Sequence, residues 1–279
     1  MNSEKIKCNV CMHACSLGPG QSGLCGARAN RDGVIVSTNY GLVTSLALDP
    51  IEKKPLYMFH PGSYILSTGS YGCNLKCPFC QNYEISQATD DDMAFLGVRR
   101  TTPEQLAQIV LSEPDSIGLA YTYNEPLISY EFVRDTSRLI HEGGKFNVLV
   151  TNGEANPEIL DELLPYIDAM NIDLKGFTDE IYKRLGGDLS LVMSTIEKAS
   201  KTCHVELTSL IVPGINDSLT EMEREAIWIA SLNKDIPLHI TRCFPRYKMP
   251  DIAPTDISLM RKMKAVAEKH LSHVFLGNI

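Results

Sequence analysis

The 279-residue chain has no apolar stretch approaching the length of a transmembrane helix, so no membrane association by a spanning helix is expected. It also lacks an excess of cations. Its 26 Lys and Arg against 34 Asp and Glu leave a net charge of −8, which argues against a nucleic-acid partner gripped through its phosphates. There is no internal repeat of fixed period and no low-complexity tract. Met1-Asn2-Ser3-Glu4-Lys5 leads into a polar segment, with nothing resembling a secretory signal. What the chain does have is nine cysteines, which without a leader point to metal binding in a reducing, cytoplasmic compartment. A hydrophobic content of 44% allows one large core in one or two domains.

Residues 1–60 read differently from the rest. They hold Cys8, Cys11, Cys15 and Cys25 among many glycines, with short strands expected at Val34–Ser37 and Val43–Leu48. From Tyr64 onward, apolar runs fit strands at Tyr64–Thr68, Ile117–Thr122, Phe146–Thr151, Ala169–Leu174, His204–Val212 and Leu238–Arg242. Helical segments lie between them. Thr102-Pro103-Glu104-Gln105 has the makings of a capping box, and Asn156-Pro157 and Ser218-Leu219-Thr220-Glu221 read as further helix starts. Alternating strands and helices imply a parallel sheet with right-handed crossovers. Six such units predict an α/β fold, a partial TIM-like (β/α)6 barrel over residues 61–279, preceded by a small cysteine-rich region over 1–60. In such folds chemistry collects where strands end.

The first strand leads into Cys73-Asn74-Leu75-Lys76-Cys77-Pro78-Phe79-Cys80-Gln81-Asn82. Three thiolates this close can hold three irons of a 4Fe–4S cube, which normally takes four cysteines, and the missing fourth leaves one iron open. A structural zinc site would want four ligands from paired knuckles. Other strand ends are also polar: Thr122-Tyr123-Asn124-Glu125-Pro126, Thr151-Asn152-Gly153, Asp173-Leu174-Lys175, Ile211-Val212-Pro213-Gly214, and His239 with Arg242, Arg246 and Lys248. Read alone, Asn124 and Pro126 make a helix start, Asp173 and Lys175 an ion pair, and Pro213-Gly214 a turn. Cys203 and Cys243 read as small buried hydrophobes.

Taken together these segments resemble the radical S-adenosylmethionine (AdoMet) superfamily, and within it the activases such as pyruvate formate-lyase activating enzyme. Nearly the whole chain is similar to the AmmeMemoRadiSam-system subfamily, through the N-terminal Cys-x2-Cys-x3-Cys-x9-Cys, Leu48-Asp49-Pro50-Ile51-Glu52-Lys53-Lys54-Pro55-Leu56-Tyr57, Cys80-Gln81-Asn82 and Leu276-Gly277-Asn278-Ile279. The resemblance implies that Cys73, Cys77 and Cys80 carry the catalytic cluster and that its open iron chelates AdoMet. It further implies a radical enzyme that abstracts hydrogen from a substrate and takes electrons from an external donor of flavodoxin or ferredoxin type.

The AdoMet-binding residues it implies are Asn82, Tyr123, Asn124, Glu125, Thr151, Asn152, Asp173, Lys175, Ile211, Val212, His239 and Arg242. Glu125 would accept from the ammonium, Lys175 would face the methionyl carboxylate as a flexible point charge, and Ile211 or Val212 would touch the adenine. Two departures stand out: Tyr123 and Asn124 replace a pair of glycines, and Val150 replaces the aspartate of a monovalent-cation site. The substrate, a protein or a small molecule, stays open, with glycyl-radical activation of a partner as one alternative and a non-enzymatic iron–sulfur carrier as another. Cys8, Cys11, Cys15 and Cys25, with His13 in reserve, are expected to bind structural zinc or a second 4Fe–4S cluster.

Overall fold

The computed structural model describes residues 5–92 and 97–279, so Met1–Glu4, where no signal was expected, lie outside it. Its main sheet has eight strands: β1 Ser45–Pro50, β2 Tyr64–Gly69, β3 Ser116–Tyr121, β4 Phe146–Thr151, β5 Ala169–Asp173, β6 His204–Ile211, β7 Leu238–Arg242 and β8 Val274–Gly277. They lie in chain order across the sheet, and every neighbouring pair from β2 to β8 is parallel. Only β1 runs antiparallel, against β2. The six expected parallel strands are all present within a residue or two. The two edges were not foreseen as part of this sheet. β8 is a short seventh parallel strand, and β1 comes from before residue 60, so the sheet draws on both sides of the boundary suggested by composition.

Among the described residues, seven helices of seven or more residues join the parallel strands: α1 Pro103–Ser112, α2 Tyr130–Glu142, α3 Pro157–Leu163, α4 Asp179–Leu185, α5 Leu189–Ala199, α6 Leu219–Asn233 and α7 Ile257–Ala267. Their starts follow local chemistry. Thr102 accepts from Gln105 N while the Gln105 side chain reaches back to Thr102 N, a complete capping box before α1. Ser218 caps α6 by accepting from Glu221 N. Asn156 does stand before Pro157 at the start of α3, but its amide donates to Asn9 O and so ties down the N-terminal region instead. The cap expected at Asn124 falls one residue later, at Glu125, whose carboxylate accepts from Leu127 N.

Period-two alternation divides the apolar residues. Leu66, Leu119, Leu149, Ile172 and Leu207 face outward into the core shared with the helices. Ile65, Ala120, Val148 and Ala169 face inward, where Ile51 and Leu56 from the β1–β2 connection fill the barrel floor. Strands β3 and β4 approach closely enough that a Cβ on Gly118 would sit 1.8 Å from Phe146 O, so only glycine fits there. Before the barrel, residues 28–31 and 34–37 form a hairpin whose turn residues Asp32 and Gly33 both have positive φ, as an Asp-Gly turn requires.

Candidate active site

The cysteine loop follows β2 and lies across the C-terminal ends of the strands, against a cavity of about 230 Å³. Cys73, Cys77 and Cys80 line that cavity together with Glu125, Thr151, Asn152, Asp173 and Lys175, and Asn82 and Tyr123 stand on its wall. The loop is held from several sides. Cys73 N donates to Cys25 O, His13 Nε2 bonds Asn74 O at 2.8 Å, and Lys76 N reaches Leu185 O at the end of α4. Gly72 has φ +88, and a Cβ there would meet Cys25 O at 2.6 Å, which lets the N-terminal region pack directly on the loop. Beyond Cys80, Arg246 Nε donates to Gln81 O at 3.1 Å, and the Tyr83 and Tyr247 rings stack at 4.6 Å. Burial pushes the Cys77 thiol up to about 11 and Cys73 well above its ordinary value.

Glu125 is fully enclosed. One carboxylate oxygen accepts from Leu127 N and Thr151 Oγ1 at 2.9 and 2.6 Å, and the other accepts from Asn152 N at 2.8 Å. Burial nevertheless dominates those neutral donors and raises its pKa to about 7. Lys175 Nζ lies 2.7 Å from Asp173 Oδ2. Burial alone would lower this ammonium, but the Asp173 carboxylate outweighs it and holds the pKa above the ordinary lysine range. Tyr123 adopts φ +72, costly for an aromatic residue. Its carbonyl accepts from Asn82 Nδ2 at 2.8 Å, and its hydroxyl donates to the buried Asp49 at 2.9 Å. Asp49 is itself paired with Lys54 at 2.9 Å, and Lys54 Nζ sits 4.8 Å from the centre of the Tyr123 ring.

Several expected positions fall elsewhere. Asn124 does not line the cavity; its side chain is spent on Ser70 N, Tyr71 O and Gly72 O, shaping the start of the cysteine loop. Ile211 faces outward into the helix-side core, and Val212 packs beneath the loop with Leu75 and Cys77. Thr208 and Leu210 line the cavity in their place. Alternation was the missed signal. Residues 206, 208 and 210 share the inward face of β6, whereas 211 points away.

His239 lies on the inward face of β7 but near its N-terminal end. There it is bonded to Glu206 at 2.6 Å and packed against Tyr57 and Phe275, so its expected place at the mouth is corrected. Thr241, two residues on, reaches the cavity. Arg242 is engaged with Thr255 O and the Phe244 ring, outside the cavity wall. Cys243 is buried as expected, whereas Cys203 is only partly so. Glu206 and Glu154, both completely buried, were not singled out from the sequence.

Cys8, Cys11 and Cys25 are buried and Cys15 partly so, and burial raises the Cys11 thiol to about 12. Among the described residues, no three His, Cys, Asp or Glu side chains converge to hold a metal ion. The expected N-terminal zinc, a single ion shared by several ligands, therefore gains no support from the geometry, and no comparison supports a second cluster there. The finding does not bear on a 4Fe–4S cube at either group of cysteines, since there each thiolate takes its own iron instead of sharing one ion. Also among the described residues, no helix is long and apolar enough to cross a membrane.

A mostly parallel α/β sheet with a three-cysteine loop after its first parallel strand defines the class. The chain matches the Radical SAM superfamily over residues 68–226, and it belongs to that family, whose members are enzymes. It is 39% identical over 282 aligned positions to an uncharacterized protein of Methanocaldococcus jannaschii, covering 100% of this chain and 83% of that one. It is 26% identical to pyruvate formate-lyase 1-activating enzyme of Escherichia coli, across 71% of this chain and 86% of the relative. Among solved structures, Streptococcus suis SuiB bound to S-adenosylmethionine superposes with a TM-score of 0.58 at 12% identity, over 77% of this chain and 52% of that one, a likeness of fold.

Proposed function

We propose that this protein binds a 4Fe–4S cluster at Cys73, Cys77 and Cys80 and AdoMet beside it, and abstracts hydrogen from a substrate. The observation that carries this reading is the convergence of three thiols, with no fourth in the loop, on the cavity that also presents Glu125 and Lys175. The donor set fits the group: three sulfurs on one loop leave one iron of a cube without a protein ligand. A cluster held by Cys73, Cys77 and Cys80 would supply the electron for reductive cleavage of AdoMet, the source of the hydrogen-abstracting group. The chain's own residues do the positioning. Lys175, kept charged by Asp173, faces a carboxylate, and Glu125 offers an acceptor for an ammonium. Asn82 and Tyr123 form the wall near Cys80, and the inward Leu210 provides an apolar contact for a base. Burial of this group excludes water from a reactive intermediate.

The test is anaerobic reconstitution followed by dithionite and AdoMet. Release of 5′-deoxyadenosine is expected, and no release from protein with confirmed iron would defeat the reading. An external flavodoxin- or ferredoxin-type donor would replace dithionite in the cell. For the substrate, similarity to a pyruvate formate-lyase 1-activating enzyme favours glycyl-radical activation as one reading, beside a substrate particular to this subfamily. Deuterium transfer into 5′-deoxyadenosine from a labelled glycine loop, against labelled small molecules, separates the two.

A further inference from the structure

The three cysteines of the loop are not equivalent. Among the described residues, Cys73 alone of the three receives a hydrogen bond on sulfur from a side chain, with Asn152 Nδ2 at 3.7 Å from Sγ. The same nitrogen donates to Asn74 Oδ1 at 2.8 Å, so both amide hydrogens are in use. Asn152 Oδ1 accepts from Glu154 N at 2.9 Å, which fixes the end of the amide that faces the sulfur. The backbone of Asn152 is pinned to Glu125, and Asn74 Nδ2 closes the ring of contacts on Glu154 O at 2.7 Å. Asn152 is only 4% exposed, so this donor points at the sulfur without competition from solvent. Leu75 N, 3.4 Å from the same sulfur, adds a backbone donor.

A donor aimed at a ligating sulfur stabilises whichever redox state places more negative charge there. For an iron–sulfur cluster that is the reduced state. We infer that Asn152 is a redox-positioning residue, raising the reduction potential of the cluster through its N–H bond to Cys73. The inference rests on the cluster reading above. It differs from a purely structural role, in which Asn152 merely braces Asn74, because a brace leaves the potential unchanged once the cluster is in place.

The experiment compares wild type, Asn152→Ala, Asn152→Asp and Thr195→Val. Thr195 Oγ1 holds Gly153 O at 2.7 Å, so its loss loosens the same loop without touching the sulfur. Iron content and visible absorption come first. Wild type without a cluster would defeat the cluster reading itself, and that failure is separate from this one. Potentiometric titration followed by electron paramagnetic resonance then reads the potential. A shift to more negative values is expected in Asn152→Ala, a larger one in Asn152→Asp, and none in Thr195→Val. Equal potentials in wild type and both Asn152 variants would overturn the inference. Should neither variant retain a cluster, wild type labelled with [15N]asparagine decides. Pulsed resonance must show a side-chain amide nitrogen coupled to the reduced cluster, and its absence overturns the inference.

Discussion

The barrel carries a buried glutamate at each end, and the two are tuned in opposite directions. At the mouth, Glu125 accepts three hydrogen bonds from neutral donors and its pKa rises to about 7. At the floor, Glu206 accepts from Tyr57 N, Met58 N, His204 Nε2 and His239 Nε2, and its pKa falls to about 2. Burial opposes the charge in both cases. At the floor it is outweighed by two imidazoles and two backbone N–H groups converging on one carboxylate; at the mouth it is not. A fully bonded carboxylate thus stays ionised, while one with a shortfall of donors is poised to take up a proton or a cation. The first arrangement suits a structural anchor, since Glu206 ties the β1–β2 connection to β6 and β7. The second suits a site.

The largest expected effect removes the mouth's chemistry altogether. Cys77→Ala should abolish 5′-deoxyadenosine release while leaving the fold intact, as read by circular dichroism. Retained release would break the assignment of the loop.

Next comes the floor. Glu206→Ala strands four donors in the interior, and a loss of about 3–5 kcal/mol in unfolding free energy is expected from denaturant titration. A loss below about 1 kcal/mol would show that the clamp is ornamental.

The third effect is the pH dependence of stability in the cluster-free protein. Glu206, depressed to about 2, contributes stability that is present above the ordinary value of 4.5 and lost as pH falls toward 2. Glu125, raised to about 7, acts the other way: its contribution is full below 4.5 and is lost as pH climbs through 7. Each limb is worth about 3 kcal/mol, at 1.36 kcal/mol per pKa unit. Glu125→Gln should shrink the neutral limb, to which Glu154 and Glu225, each raised to about 8 by burial, also contribute, and leave the acid limb standing. An unchanged profile would show that the mouth glutamate titrates normally. The smallest effect is Tyr123→Phe, which removes the hydroxyl donated to the ionised Asp49 and should cost about 1.5–3 kcal/mol in the same assay.

Much of this contrast was hidden in the sequence, for a physical reason. The parallel strands were legible because each is a short apolar run between helix starts, and the cysteine loop because its spacing is local. At the edges, a strand over Val43–Leu48 was legible but its place beside β2 was not, and β8 was missed altogether, since each edge is recruited by a neighbour more than its own pattern announces it. Residues that line the cavity were legible where a strand ends in a polar motif, as at Glu125 and Lys175. They were misplaced where parity along a strand decides, as with Leu210 and Ile211 on β6, or where depth along one face decides, as with His239 and Thr241 on β7. Glu206 pairs with partners from residues 57, 58 and 239, and no local window contains those contacts.

The bracing of the cysteine loop has a consequence for how the chain folds. Asn74 is fixed by Asn152 and Glu154, some 80 residues later in sequence, and Lys76 by Leu185 beyond 100. A loop near the beginning of the chain therefore takes its shape only after the strands through β4 and the helix α4 are in place. Such long closures are slow to form. On a ribosome, residues 73–80 emerge early and wait as an open, reactive stretch until the middle of the protein arrives. On the cluster reading proposed above, iron would be loaded at Cys73, Cys77 and Cys80 after that moment, once the barrel has been built around the loop.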